Sequence, residues 1–462
     1  MSTMTESSID FLTRLESNAR TYARNIPTVL SQGAGTEVVD IDGRRYLDCL
    51  ACAGALPLGH NHPFVQQRVI QFLQSGQLQQ ALDIATPAKL HFVQELYEML
   101  PPAFAKRAKI QFCGPTGADA AEAALKLFKT ATKRRPIIVF QGAYHGMTHG
   151  TLGMMGNLAP KQEITGLPGE VHFLPYPYVY RSPFGAGTSP EETERLSLVC
   201  LENALSDPES GIGKPAMVLL EAIQGEGGCI PASAHWLRQV REITQRHDVP
   251  LVIDEIQAGV GRSGDLFAFQ QADIVPDAIL LSKAIGGGYP LSLLLYLDQY
   301  DQWKPGAHTG TFRGNQIALV SGAATLEFIR NEGLLDHVKV VGDQLRQGLL
   351  QLQNRYPCIG DVRGRGLMLG MEMVEPDGRV DALGHPQAAG AIAASLKRAC
   401  LNEGLIIETG GRHGAVLRFL PPLVITSAQV DLVLERLDRA LATQMVSSTR
   451  VTKGTRHAEV LA

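Results

Sequence analysis

Two stretches decide the reading of this chain: LVIDEIQAGVGRSG at residues 251–264 and AILLSKAIGGGYP at 278–290. Each opens on a short run of Ile, Leu and Val, and each carries a charged group at the end of that run: Asp254 in the first, Lys283 in the second, 29 residues later. Continuous apolar runs bounded by Gly, Pro or polar residues predict strands buried on both faces, as in a parallel sheet. Similar runs at Pro136–Phe140, Ala216–Ile223 and Ser292–Leu297 join Leu251–Ile256 and Ala278–Ser282 as expected strands. The segments Phe64–Leu78, Lys89–Leu100, Ala118–Lys133 and His235–His247 repeat their apolar residues at helical spacing. Alternation of the two patterns from about 63 to 320 predicts an α/β fold with a mostly parallel sheet covered by helices.

The pattern changes after Asn331, where long helices such as Leu335–Arg355 and Gln387–Asn402 leave room for fewer strands. The expected organisation is a large domain over 63–325 and a smaller α/β domain over 326–445, joined by the N-terminal segment 1–62. The polar, aperiodic tail 446–462 is expected to be disordered. Several Pro and Gly in Tyr176–Ser189 predict a surface loop.

Composition narrows the function classes. A chain of 462 residues, 45% hydrophobic and 19% charged, has ample material for a large core. A net charge of -4 with dispersed basic residues offers no field for a phosphate backbone, so no nucleic-acid partner is expected. Hydrophobic runs are broken by charge short of a membrane span and the N-terminus lacks an apolar leader, so the expected location is the cytoplasm. Seven cysteines, an odd number with no regular spacing along the chain, argue for reduced thiols. His60, His62, His145 and His149 lack a completing carboxylate or cysteine pattern, so no metal site is expected.

Carboxyl ends of strands are where open α/β sheets bind ligands, so Asp254 and Lys283 are expected to meet in one crevice. An amine to form a Schiff base with an aldehyde, and a carboxylate to keep a pyridine nitrogen protonated, are the two groups that pyridoxal 5′-phosphate requires. Taken singly, Lys283 also reads as a solvated loop lysine and Asp254 as a cap or salt-bridge partner. A second motif supports the first reading. In GPTGADAAEAALKL, 114–127, a Gly-rich turn enters a helix at Thr116, Gly117 and Ala118, which suits either an anion site or a simple N-cap at Thr116. GVGRSG at 259–264 matches a dinucleotide-binding pattern, but no long helix and no later strand-end acid follow it. Cys113 reads as a buried filler, since no general base adjoins it.

Taken together, EAIQGEGG (221–228), LVIDEIQAGVGRSG, LLSKAIGGGYP (280–290), GTFRGNQIA (310–318), VRGRGLMLG (362–370) and LRFLPPL (417–423) resemble, in order, the motifs of class III (ω-amino acid) aminotransferases. The resemblance runs from about 20 to 445 and implies the pyridoxal-phosphate-dependent transferase fold of type I. It further implies Lys283 as the Schiff-base lysine, Asp254 as partner of the ring nitrogen and Gln257 as donor to the ring hydroxyl. Thr116, Gly117 and Ala118 would hold the phosphate, Tyr144 would stack on the ring with His145 beside it, and Thr311 would reach a neighbouring subunit's phosphate. Arg418 would pair with an α-carboxylate and Glu226 with Arg418. A homodimer with shared active sites, acting on small amino acids and oxo acids, is therefore expected. Pro115, where many members have Asn, and Arg313-Gly314, where Gly-Gly is usual, resemble a subgroup that handles short diamino acids with 2-oxoglutarate.

Overall fold

The computed structural model describes the backbone of residues 7–458 and the side chains of 7–444. Seven strands form its central sheet: β1 (Ala108–Phe112), β2 (Ile137–Phe140), β3 (Val171–Leu174), β4 (Met217–Glu221), β5 (Leu251–Asp254), β6 (Ala278–Leu281) and β7 (Leu293–Leu297). Their spatial order is β1-β7-β6-β5-β4-β2-β3. From β6 to β3 every pairing is parallel, whereas β7 runs antiparallel to both β6 and β1. Every residue of β2, β4, β5, β6 and β7 is buried, which is why these runs show no polar alternation.

Helices supply the cover. α1 (Gly117–Thr132) buries Ala120, Ala121, Ala123, Ala124, Leu127 and Phe128. Its small residues let the helix come close to the sheet, where it contacts β6 and β7. α2 (Gln316–Asn331) buries ten residues, Ala318, Leu319, Ala323 and Leu326 among them. Beyond it lie α3 (Leu334–Arg355) and α4 (Gly390–Asn402). A four-stranded antiparallel sheet follows in the order Ile359–Arg365, Met368–Met373, Val416–Phe419, Glu408–Gly410. Near the N-terminus, strands Leu30–Ala34, Glu37–Asp40 and Arg45–Asp48 pair in turn, and the last runs parallel to Leu405–Ile406.

Some expectations need correction. β1 and β3 escaped the sequence reading because Ala108–Phe112 contains Lys109 and Gln111 and Val171–Leu174 contains His172, so neither is a plain apolar run. Residues 176–189 do lack regular structure but are no surface loop at their start. Tyr176, Tyr178, Arg181 and Ser182 are buried, because their polar ends find partners inside. The backbone of the closing helix α5 (Ser427–Ala458) continues into the stretch 446–462 for which disorder was expected. Side chains past 444 and all of 459–462 lie outside the described residues. All seven cysteines are free, and Cys113 is buried as expected. The turn 259–264 leads only to the one-turn helix Ala268–Ala272.

Candidate active site

Strand ends β4, β5 and β6 bring three ionisable groups to one edge of the sheet. Glu221 and Asp254 are register partners on neighbouring parallel strands, and Lys283 follows β6 by two residues. They line a cavity of about 480 Å³ together with Thr116, Gly117, Ala118, Tyr144, His145, Gln257 and Glu226. Lys283 is held at φ 52°, a left-handed conformation that a non-glycine residue adopts only when its surroundings impose it. Among the described residues its Nζ makes no hydrogen bond or ion pair. Burial lowers its pKa, opposed by the charges of Glu226 and Asp254 and reinforced by Arg418.

Asp254 is fixed from two sides. His145 Nδ1 lies 2.8 Å from its Oδ2, and the Ile256 amide donates to its Oδ1 at 3.0 Å. His145 is fully buried and its Nε2 has no partner. Glu221 accepts backbone N–H bonds from Tyr144 at 3.0 Å and Gly225 at 2.9 Å. Burial pushes its carboxyl up to about 7, against the opposing pull of His145 and with the nearby Asp254 charge adding to the rise.

At the other end of the cavity Thr116 caps α1, its hydroxyl accepting from the Asp119 amide at 3.3 Å. The first-turn amides of Gly117 and Ala118 have no acceptor within the helix. The N-cap uses the Thr116 hydroxyl and leaves those amides free, so it does not compete with an anion at the turn. A Cβ on Gly117 would sit 2.9 Å from Ile256 Cδ1, so the glycine allows the turn and the cavity wall to approach closely.

Gln257, just past β5, lines the same cavity. Its Nε2 donates to the Ala53 carbonyl at 3.1 Å and its Oε1 is buried without a partner. That bond uses one hydrogen of the NH₂ group, and the second stays available to a ring hydroxyl. Thr311 is exposed and does not line this cavity, so in its own chain it is apart from Lys283. Arg418, on strand Val416–Phe419, is 1% exposed, whereas Glu226, on the loop after Gln224, is 33% exposed at the cavity edge. Arg418 Nη2 donates to Glu226 Oε2 at 2.9 Å and Nη1 lies 2.8 Å from Oε1. Burial works against the Arg418 charge, but Glu226 more than offsets it and the pKa is raised.

Sequence reasoning missed Glu221 and Tyr22. Glu221 carried the same signal as Asp254, an acid closing an apolar run. Tyr22 lines the cavity from the one-turn helix Tyr22–Asn25, and nothing in its polar surroundings announces that position.

The donor set fits pyridoxal phosphate: an unpaired, partly buried amine for the aldehyde, a positioned carboxylate for the ring nitrogen and free helix-end amides for the phosphate. Gln257 Oε1 and His145 Nε2 are further polar atoms left unsatisfied beside that space. This fold and donor set define the class, a pyridoxal-phosphate-dependent transferase of fold type I. Residues 19–441 match the family model "Aminotransferase class-III", and the chain belongs to that family. A diaminobutyrate--2-oxoglutarate aminotransferase of Rhizobium meliloti is 51% identical over 441 residues, covering 94% of this chain and 93% of the relative. One from Haemophilus influenzae is 44% identical, covering 92% and 93%. Among solved structures, a PLP-bound amine transaminase from an uncultivated Pseudomonas species is 27% identical with a TM-score of 0.81, covering 93% of this chain and 97% of the other.

Proposed function

We propose that the protein interconverts L-2,4-diaminobutyrate plus 2-oxoglutarate and L-aspartate 4-semialdehyde plus L-glutamate. The observation that carries this reading is the Glu226–Arg418 pair beside Lys283. The reaction needs one site to take glutamate at its α-amine and diaminobutyrate at its distal amine, so a carboxylate adjoins the reacting carbon in one half-reaction only. A buried guanidinium suits the first case, and a carboxylate that occupies it suits the second. The names of the relatives at 51% and 44% identity support the same substrates.

When bound, pyridoxal phosphate supplies the electron sink that lets a bond at the amino-bearing carbon ionise. Lys283 would hold its aldehyde and, once displaced by substrate, carry the proton between substrate carbon and cofactor carbon, a task that a lowered pKa favours. Asp254, oriented by His145, would keep the ring nitrogen protonated. Thr116 with the Gly117 and Ala118 amides would hold the phosphate, Gln257 the hydroxyl, and Tyr144 the ring face. Thr311, exposed on its own chain, is assigned to the phosphate of a second subunit in a homodimer. The proposed division is 63–325 for the cofactor domain and 326–445 with 1–62 for the smaller one, in a cytoplasmic protein. Among the described residues no helix is long and apolar enough to cross a membrane.

The test is amino transfer from diaminobutyrate to 2-oxoglutarate, compared with ornithine, acetylornithine and 4-aminobutyrate as donors. Diaminobutyrate is expected to give the highest kcat/KM. Faster turnover of another donor would overturn the substrate assignment, and retained turnover in Lys283→Ala would overturn the mechanism.

A further inference from the structure

The loop that carries Glu226 is held by its backbone, and one of the holding groups is a buried arginine outside the cavity. Glu221 Oε2 accepts from the Gly225 amide at 2.9 Å, and the Glu226 carbonyl accepts from the Gly411 amide at 2.8 Å. Arg363 Nε donates to the Gly228 carbonyl at 2.9 Å. The loop fits closely where it is pinned: a Cβ on Gly227 would meet the Gly142 carbonyl at 2.7 Å, and one on Gly228 would meet Arg363 Nη2 at 2.9 Å.

Arg363 is itself immobilised. It is 8% exposed, its Nη1 lies 2.8 Å from Asp361 Oδ2 and 2.7 Å from Glu372 Oε2, and its Cζ sits 4.8 Å from the centre of the Tyr178 ring. Glu372 also accepts from Arg181 and from the Tyr178 hydroxyl, so its carboxylate is satisfied from three directions. Glu372 belongs to strand Met368–Met373, which pairs directly with the strand of Arg418, with Gly370 opposite Arg418 and Glu372 opposite Val416. One hydrogen-bonded frame therefore sets both ends of the Glu226–Arg418 pair: the sheet fixes Arg418, and Arg363 ties the Glu226 loop to the same sheet.

We propose that Arg363 is a positioning residue that fixes the backbone from which the Glu226 side chain swings, and so sets how well the site discriminates its two amino donors. This rests on the two-donor reading of Glu226 and Arg418. With the loop pinned, the side chain alone must move, and it returns to the same place opposite Arg418. A lysine at 363 keeps the charge but cannot serve Gly228, Asp361 and Glu372 through a planar fork. The loop would loosen, and the pair would form less reliably when no α-carboxylate is present.

The test compares holoenzyme variants Arg363→Lys, Arg181→Lys and Glu226→Gln. Arg181 shares Glu372 but does not touch the loop, so it reports any general damage to the hub. Arg363→Lys is expected to lower kcat/KM for the diaminobutyrate half-reaction by about tenfold relative to the glutamate half-reaction. It should also speed amide hydrogen exchange across 225–229. Arg181→Lys should change neither the ratio nor that exchange. Equal loss in both half-reactions, or the same ratio shift in Arg181→Lys, would overturn the assignment. If Glu226→Gln moves the ratio and Arg363→Lys does not, the positioning role alone fails. If Glu226→Gln leaves the ratio unchanged, the two-donor reading has failed and this inference falls with it. Should Arg363→Lys not fold, Asp361→Asn at the rim of the same guanidinium takes its place, with a shift of about threefold expected. No shift there would also overturn the proposal.

Discussion

Arg418 and Glu226 meet through both terminal nitrogens and both carboxylate oxygens, at 2.9 and 2.8 Å, yet one partner is sealed in the protein and the other reaches the cavity edge. That asymmetry decides which side chain moves. Taking the guanidinium out would leave a fully buried site without its cation, whereas Glu226 can turn toward the opening. Tyr22 and Tyr144 share the neighbourhood, and burial, followed by the Glu226 charge, raises the pKa of each phenol. Both remain neutral hydrogen-bonding groups near neutral pH.

The first prediction follows from that division of labour. In Glu226→Ala, Arg418 is free to attract a carboxylate in either half-reaction. Diaminobutyrate should react about tenfold or more slowly, while glutamate is unaffected or improved. Arg418→Ala should do the reverse, impairing glutamate and 2-oxoglutarate most. Single-turnover spectra with each donor read both effects, and equal losses for both donors in both variants would refute the exchange.

Asp254→Asn should keep part of its cofactor and lose several powers of ten in rate, because a neutral amide cannot hold a pyridine nitrogen protonated. His145→Phe should act through the same atom more mildly. It removes the 2.8 Å bond to Asp254 Oδ2 but leaves the Ile256 amide on Oδ1. A loss of about tenfold to a hundredfold is expected, by analogy with the outer partners of other catalytic ligands. If His145→Phe were as damaging as Asp254→Asn, the histidine would be more than an orienting group.

Gly117 offers a test of the proposed phosphate turn. A methyl there lies 2.9 Å from Ile256 Cδ1 and 3.0 Å from its Cγ2, so turn and wall must separate by some tenths of an ångström. Gly117→Ala should weaken cofactor binding in an absorbance titration of the apoenzyme. Ile256→Val, added to it, should restore part of the loss. A double variant no better than Gly117→Ala would mean that the steric contact is not the cause.

How much of this could be read beforehand depended on the reach of each signal. Asp254 and Lys283 were legible because fully apolar runs end at them, and the alternation of strands and helices puts such ends on one edge of a sheet. The helix-opening turn at Thr116 was legible for a similar local reason. Arg418 and Glu226 came from motif resemblance, since nothing local says that positions 192 residues apart will pair. Tyr22 was invisible, being placed by tertiary packing of a polar segment. The buried start of the 176–189 loop was misread because its Pro and Gly announce irregular backbone and not exposure. Tyr178 and Arg181 are drawn inward by a carboxylate, Glu372, almost two hundred residues away.

Glu255, next to the cofactor's expected carboxylate, provides the final prediction. It is buried, its two oxygens accept the Ala268 amide at 2.9 Å and the Phe269 amide at 3.0 Å, and burial raises its pKa from 4.5 to about 8 in spite of those bonds. In the unfolded chain the group releases its proton near 4.5, while the folded protein keeps it until about 8. Between these values the unfolded state binds fewer protons, so this group's contribution to stability is full below about 4.5 and declines as pH rises, levelling above about 8. Glu255→Gln removes the titration. At low pH it should be the less stable protein, because its amide NH₂ would face a backbone N–H where an oxygen now accepts. As pH rises the gap should narrow, since only the wild type then bears the cost of ionising a buried acid. Other titrating groups, including Glu221, are present in both proteins and cancel in the difference. Thermal midpoints of the two proteins from pH 5 to 9 give the result directly. A gap independent of pH would mean that Glu255 is ionised throughout, with the two backbone amides sufficient to hold its charge.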